Sequence, residues 1–166
     1  ITTADNKSLI KELVTEGQMF GENIFTQTNE RREFSHALTE VEYFQIPVSY
    51  FKSLIEKNNR FCIDITQSFI EKLANLEQRM HNFVYKKAQT RIVEFLKNTA
   101  LARGVKIGLD EILINHGMSH KDIAHLTDTS RQTVARVLGE LKRDNLIHFS
   151  TRKPHKILIR NIMSLS

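Results

Sequence analysis

The chain has 166 residues, 40% hydrophobic and 26% charged, which suits one large or two small soluble domains. No apolar run approaches the ~18 residues that a membrane-spanning helix needs. A lone cysteine, Cys62, excludes an internal disulfide and a cysteine-built metal site. Ile rather than Met at position 1 reads as a fragment or a processed chain, and no signal peptide opens it. With the single cysteine this points to a reducing, cytoplasmic compartment. The net charge of +5 lies in the last third: His116–Ser166 holds nine Lys+Arg against four Asp+Glu, leaving fifteen of each sign before it. A basic end on a neutral body points to a polyanion partner, the alternative being a solvated basic surface.

Residues 8–46 are expected to form short strands. Ser8–Val14 carries Leu9, Ile10 and Leu13, while Glu33–Thr39 and Val41–Ile46 are rich in aromatic and β-branched residues. Gly17 and Gly21 punctuate the stretch, Pro47 ends it, and Ser49–Lys57 reads as a short helix. A helical region without Pro or Gly then runs from about Asn58 to Arg103. Within it Ile63, Thr66, Ile70, Leu73, Leu76, Met80 and Val84 recur at steps of three and four, and Phe69 and Phe83 widen the stripe. So long a stripe calls for a partner. A second copy of the same helix would serve, the alternative being burial against the chain's own domains. Tyr85-Lys86-Lys87 is the natural break, after which Arg91, Ile92, Phe95 and Leu96 begin a new amphipathic face. Gly104 and Gly108 close the helical region. Glu111–Ile114 reads as a strand, and Leu146–Phe149 with Ile157–Ile159 as a hairpin.

The most informative segment is Ser119–Asn145. Ser119 and Asp122 fit a variant of the capping box before Ile123, Ala124 and Leu126. Thr127-Asp128-Thr129 reads as a tight turn, where Asp tolerates a left-handed backbone. Ser130 is a good N-cap for a second helix, whose apolar face is Val134, Val137, Leu138 and Leu141. Arg131, Gln132, Arg136 and Arg143 lie off that face. Two helices joined by a short turn place the N-terminus of the second in the DNA major groove. There Arg can read guanine O6 and N7, and Gln can read adenine N6 and N7. Ser130 and Thr133 suit phosphate, helped by the helix N-terminus. The hairpin tip Thr151-Arg152-Lys153-Pro154-His155-Lys156 reads as a basic wing beside the groove. The alternatives are a helical hairpin with a charged face and a winged helix used for protein contacts.

These residues resemble a known family. His120-Lys121-Asp122-Ile123-Ala124-His125-Leu126 followed by Thr129-Ser130-Arg131-Gln132-Thr133-Val134-Ala135-Arg136-Val137-Leu138 is similar to the DNA-binding signature of Crp/Fnr regulators. Gly17-Gln18-Met19-Phe20-Gly21-Glu22 resembles the entry to that family's cyclic-nucleotide cassette. The resemblance implies an α+β fold in three parts. A cyclic-nucleotide-binding-like β-roll, incomplete at its N-terminus, would occupy 1–57, a dimerisation helix 58–86 and a winged helix-turn-helix 87–166. It further implies a homodimer on an inverted-repeat operator, paired through Ile63, Phe69, Ile70, Leu73, Leu76, Met80, Phe83 and Val84, with RNA polymerase as a further partner. The DNA-contacting set it implies is Ser119, Lys121, Ser130, Arg131, Gln132, Thr133, Arg136, Arg152, Lys153 and Lys156.

The chain departs from the family at the effector pocket, where Gly21, Glu22, Arg31, Arg32, Leu76 and Glu77 are the candidates. Family members that bind cAMP follow the cassette arginine with Ser or Thr; here Arg31 or Arg32 is followed by Arg32 or Glu33, and Glu33 would repel a cyclic phosphate. Those members also carry a Thr-Ser pair over the adenine, where this chain has Leu76 and Glu77. The expected effector is therefore an unidentified small molecule other than cAMP. Gln132 replaces a frequent Glu, which shifts one expected contact from cytosine towards adenine. Haem sensing occurs in the family, with His36 and His81 as candidate ligands here, against the alternative of surface histidines. No other metal site is expected. Nothing resembles a nucleophile elbow, a P-loop or a paired-carboxylate site, and Glu22, Glu33 and Glu77 read most simply as surface or salt-bridge residues. The expectation is a regulator rather than an enzyme. The rival from another class is a small-molecule sensor whose winged helix has become a protein-interaction module.

Overall fold

A computed structural model of the chain describes residues 10–25, 33–150 and 155–165. Helix α1, Val48–Lys57, starts behind Pro47, whose ring presets the backbone for a helix entry. Its Phe51 is buried and stacks on Phe25 at 6.0 Å and edge-on to Phe61 at 5.5 Å. Helix α2, Asn59–Tyr85, follows at once, with the Asn58 side chain accepting the Phe61 N–H. At Tyr85-Lys86-Lys87 the chain breaks into α3, Ala88–Arg103, as the sequence predicts. Gly104 ends α3 and donates its N–H to Ala100 O at 2.8 Å. A Cβ there would run into Ile112 and the Ala100 carbonyl, so only glycine makes this close turn towards the sheet.

The rest of the chain wraps one sheet around two helices. The elements are β1 (Val105–Lys106), β2 (Ile112–Asn115), α4 (His120–Leu126), α5 (Arg131–Arg143), β3 (Ile147–Phe149) and β4 (Lys156–Ile159). The order is β1-β2-β4-β3, all antiparallel, with Ile114 opposite Ile157 and Ile147 opposite Ile159. Apolar residues from each element meet between sheet and helices: Ile92 and Leu96 from α3, Ile123, Val134, Val137 and Leu138 from the helix pair, and Ile114, Ile147, Ile157 and Ile159 from the strands. Complete burial of one such side chain stabilises by about 1.5–3 kcal/mol, so this cluster anchors the winged helix. Leu13 and Leu38, from the N-terminal part, pack against its edge.

The α+β class and the winged helix agree with expectation; among the described residues before α1 the expected strands do not form, and residues 8 and 9 of the first lie outside the described residues. Over 10–14, 33–39 and 41–46 the backbone lies in no strand, and a short 3-10 turn, Glu22–Phe25, is the one regular element among the described residues before α1. A strand exists only when its N–H and C=O groups pair with a neighbour, and these segments find no ladder partner among the described residues. Their β-favouring side chains accordingly stand outside, Phe34, Tyr43 and Phe44 all exposed.

Helix α2 carries no buried residue. Ile63, Ile70, Leu73, Leu76, Met80, Phe83 and Val84 are all exposed on it. Phe69, beside this stripe, is partly buried, edge-on to Phe25 at 6.0 Å. No helix among the described residues is long and apolar enough to cross a membrane.

Candidate nucleic-acid interface

The helix pair is built by local chemistry. Ser119 caps α4 in a reciprocal box: its Oγ accepts the Asp122 N–H at 3.3 Å, and Asp122 accepts the Ser119 N–H at 2.7 Å. After α4, Asp128 adopts φ +51°, the left-handed conformation expected of the turn, and Thr129 donates its N–H back to Ala124 O at 2.9 Å. Ser130 then caps α5, accepting the Thr133 N–H at 3.0 Å. Val134, Val137, Leu138 and Leu141 are buried, so the opposite face of α5 is presented outwards. Gln132 and Arg136 are exposed there, Arg131 is exposed at the first position of α5, and Lys121 is exposed on α4.

Arg136 is held in place before any base arrives. Its Nη1 donates to both carboxylate oxygens of Glu140 at 2.7 and 3.0 Å. A guanine edge would have to replace Glu140 or share the guanidinium with it. Ser130 Oγ and Thr133 Oγ1 lie 2.9 Å apart, a pair of hydroxyls at the helix N-terminus suited to a phosphate. Lys156 opens β4 at the base of the wing. Arg152 and Lys153 lie outside the described residues.

Histidines gather behind this face. The buried His116 accepts the Met118 N–H on Nδ1 at 3.0 Å, which places its own proton on Nε2. Its pKa falls to about 4, first through burial, then through His155 and His120, with Asp122 opposing. His120 is lowered by burial, by Arg131 and by His155. The consequence for stability has a definite sign. The unfolded chain takes up the His116 proton near pH 6.5, and the folded chain resists until about 4. Stability is therefore intact above 6.5 and is lost progressively as pH falls towards 4, by on the order of 2–3 kcal/mol. Denaturant unfolding at pH 7.5 and 4.5 should show this loss in the wild type and a smaller one in His116→Gln. Equal losses in both would show that His116 is not the group responsible.

In the N-terminal part, Gly21 takes φ +93° and Glu22 turns to α2. Lys72 Nζ donates to Glu22 at 2.9 Å, Glu12 at 3.1 Å and the Met19 carbonyl at 2.7 Å. Lys11 approaches Glu22 at 3.8 Å and Glu33 at 2.9 Å. Burial by itself would raise the Glu22 carboxyl, but Lys72, a backbone N–H and Lys11 together hold it below its ordinary value. Burial likewise opposes charge on Lys72, and Glu22 and Glu12 outweigh it, so that its pKa is raised. Leu76 and Glu77 are exposed further along α2. Arg31 and Arg32 lie outside the described residues. His36 and His81 are exposed, and His81 stacks on Tyr85 at 4.7 Å. Among the described residues no three His, Cys, Asp or Glu are grouped to hold a metal.

The sequence reasoning missed Lys72, Arg79 and the role of Arg91. Arg79 and Arg91 both bind the turn between α4 and α5. The available signal was that Lys72 and Arg79 are basic residues seven apart, and so share one flank of the apolar stripe.

Residues 90–166 match the family model described as a Crp-like helix-turn-helix domain. The chain is similar to the "cAMP-activated global transcriptional regulator CRP" of Haemophilus influenzae, 26% identical over 145 residues, covering 87% of this chain and 64% of that protein. It is similar also to the "Global nitrogen regulator" of Synechocystis, 26% identical over 156 residues, covering 93% and 68%. In fold it is like a CooA mutant from Carboxydothermus hydrogenoformans, with TM-score 0.62, 23% identity, and coverage of 71% of this chain and 53% of that one. CprK complexed with OCPA gives TM-score 0.61 at 23% identity, covering 70% and 53%. The chain thus spans 64% of the length of the first of these relatives and about half of the solved structures.

Proposed function

We propose that this chain is a regulator of the Crp/Fnr family, which it resembles over its helix-turn-helix and through its relatives, and that it regulates transcription by binding double-stranded DNA as a homodimer. The observation that carries the reading is α5: Ser130 caps it, its apolar face is buried, and Arg131, Gln132 and Arg136 stand exposed at its groove-entering end. The reader set is Arg131, Gln132 and Arg136. Ser119, Lys121, Ser130, Thr133 and Lys156, with Arg152 and Lys153 of the wing, position the backbone. Residues 58–86 serve as the dimerisation helix and 87–166 as the DNA-binding unit. Residues 1–57 belong to the effector-sensing part. The operator is an inverted repeat, RNA polymerase is a partner, and the protein works in the cytoplasm.

The effector is a small molecule other than cAMP. Glu22 is already paired with Lys72, and the candidate positions Leu76 and Glu77 offer no hydroxyl. The test is a mobility shift on duplex DNA at low and near-physiological salt, with and without cAMP. Binding should weaken by at least about a hundred-fold between 50 and 200 mM salt, since several phosphates are neutralised, and cAMP should leave it unchanged. Absence of any shift at low salt would overturn the DNA-binding reading. A cAMP-dependent shift would overturn the effector reading alone.

A further inference from the structure

We infer that Arg79 is a positioning residue for DNA recognition: it ties the N-terminal segment and α2 to the helix-turn-helix turn, and so sets where α5 stands relative to the dimer axis. The inference rests on the reading that two copies bind a duplex with two half-sites.

Arg79 spends every N–H of its guanidinium on this junction. Nε and Nη2 donate to the two carboxylate oxygens of Asp128 at 2.8 and 2.6 Å. Nη2 also donates to the His125 carbonyl at 2.7 Å. Nη1 reaches the Lys11 carbonyl at 2.9 Å and that of Ile10 at 3.5 Å. One side chain on α2 therefore touches two separate stretches, residues 10–11 and 125–128, and joins three parts of the chain. The arginine and aspartate side chains are only 26% and 23% exposed. A two-pronged ion pair so shielded is stiffer and more directional than an open surface pair.

A second arginine restrains the same turn from α3. Arg91 donates to the Thr127 carbonyl at 2.9 Å, the Asp128 carbonyl at 2.8 Å and the Lys86 carbonyl at 2.6 Å, and its guanidinium lies 5.3 Å above the Phe83 ring of α2. The held residues, His125 to Asp128, end just before Ser130, the cap of α5. Fixing the turn there fixes the angle at which Arg131 and Gln132 leave it. Two recognition helices must sit about one helical turn of DNA apart. A stiff link between α2 and the turn prepays the cost of holding both at that separation. The link also reaches back to Lys11, whose neighbour Glu12 pairs with Lys72 beside Glu22. The N-terminal segment thus shares in holding the turn.

The experiment uses the full chain, a duplex that the wild type selects from a randomised pool, and the same duplex with one half-site scrambled. The variants are Arg79→Gln, Asp128→Asn and the double; asparagine tolerates the φ of +51° at 128, so the turn survives. Each variant should bind the two-half-site duplex about ten-fold more weakly, keep wild-type affinity for the scrambled duplex and keep its dimer mass. The double should lose no more than either single. Arg79→Lys should not rescue, because an ammonium cannot span both oxygens and the carbonyls. Unchanged or tighter binding to the two-half-site duplex, or an equal loss on both duplexes, would overturn the inference. A wild type with no preference between the duplexes would fail earlier, overturning the two-half-site reading and this inference with it.

Discussion

Leu73→Asp is expected to convert the protein from dimer to monomer at micromolar concentration, and Met80→Asp to do the same. Helix α2 has 27 residues and none buried. Its apolar side chains, Leu73 at 57% and Met80 at 66% exposed among them, repeat at the spacing of a coiled-coil seam. In a two-fold dimer each residue meets its own copy or a near neighbour, so one substitution places two carboxylates in the seam. An uncompensated buried charge costs on the order of 3–5 kcal/mol, a hundred-fold or more in the dissociation constant. Lys72 and Arg79, the nearest cations on the flank, are engaged with Glu22 and Asp128 and are not free to neutralise it. Gln78→Asp, an exposed position off the stripe, should leave the mass unchanged. Light scattering decides between them. A monomeric wild type would refute the dimer, and a dimeric Leu73→Asp would move the interface elsewhere.

Arg136→Ala is expected to change which sequence is bound, and Lys153→Ala only how tightly. Arg136 lies about one and a half turns beyond the Ser130 cap, exposed on the face of α5 opposite Val134, Val137 and Leu138. Glu140 orients its guanidinium in the free protein. Such an exposed i,i+4 pair is worth only about 0.3–0.5 kcal/mol, so a guanine edge can displace it. A bidentate contact discriminates by ~1–3 kcal/mol in each half-site, and its loss should erase the preference at one symmetric pair of operator positions. A wing lysine on a phosphate carries no sequence information. Lys153→Ala should weaken all duplexes alike and lower the salt slope by about one. Selection from a randomised operator pool with wild type and both variants gives the answer. If the Arg136→Ala motif is unchanged while the Lys153→Ala motif shifts, reader and clamp have been assigned the wrong way round.

What was legible in the sequence followed the range of the interactions involved. Ser119 with Asp122 and Ser130 with Thr133 are three apart, and the positive φ of Asp128 is a property of the turn around it. The break at Tyr85-Lys86-Lys87 and the apolar face of α5 came from periodicity. The strands expected over 8–14, 33–39 and 41–46 are absent among the described residues, because residue preference does not supply a pairing partner. Spacing puts Phe69 on the stripe, but it gives no sign of the contact that Phe69 makes with Phe25, remote in sequence.

The sequence alone therefore determines the winged helix and the exposed polar face of α5. Each cap, turn and buried stripe there depends on residues within one or two helical turns, and the hairpin that completes the sheet lies close by in the chain. Only the tertiary structure decided how that unit is joined to the rest. Glu22 meets Lys72 across 50 positions and Arg79 meets Asp128 across 49. A charge in a sequence carries no mark of the distant group it will meet. That choice is made when packing brings the N-terminal segment, α2 and the turn together, where burial makes unpaired charges costly enough to select their partners.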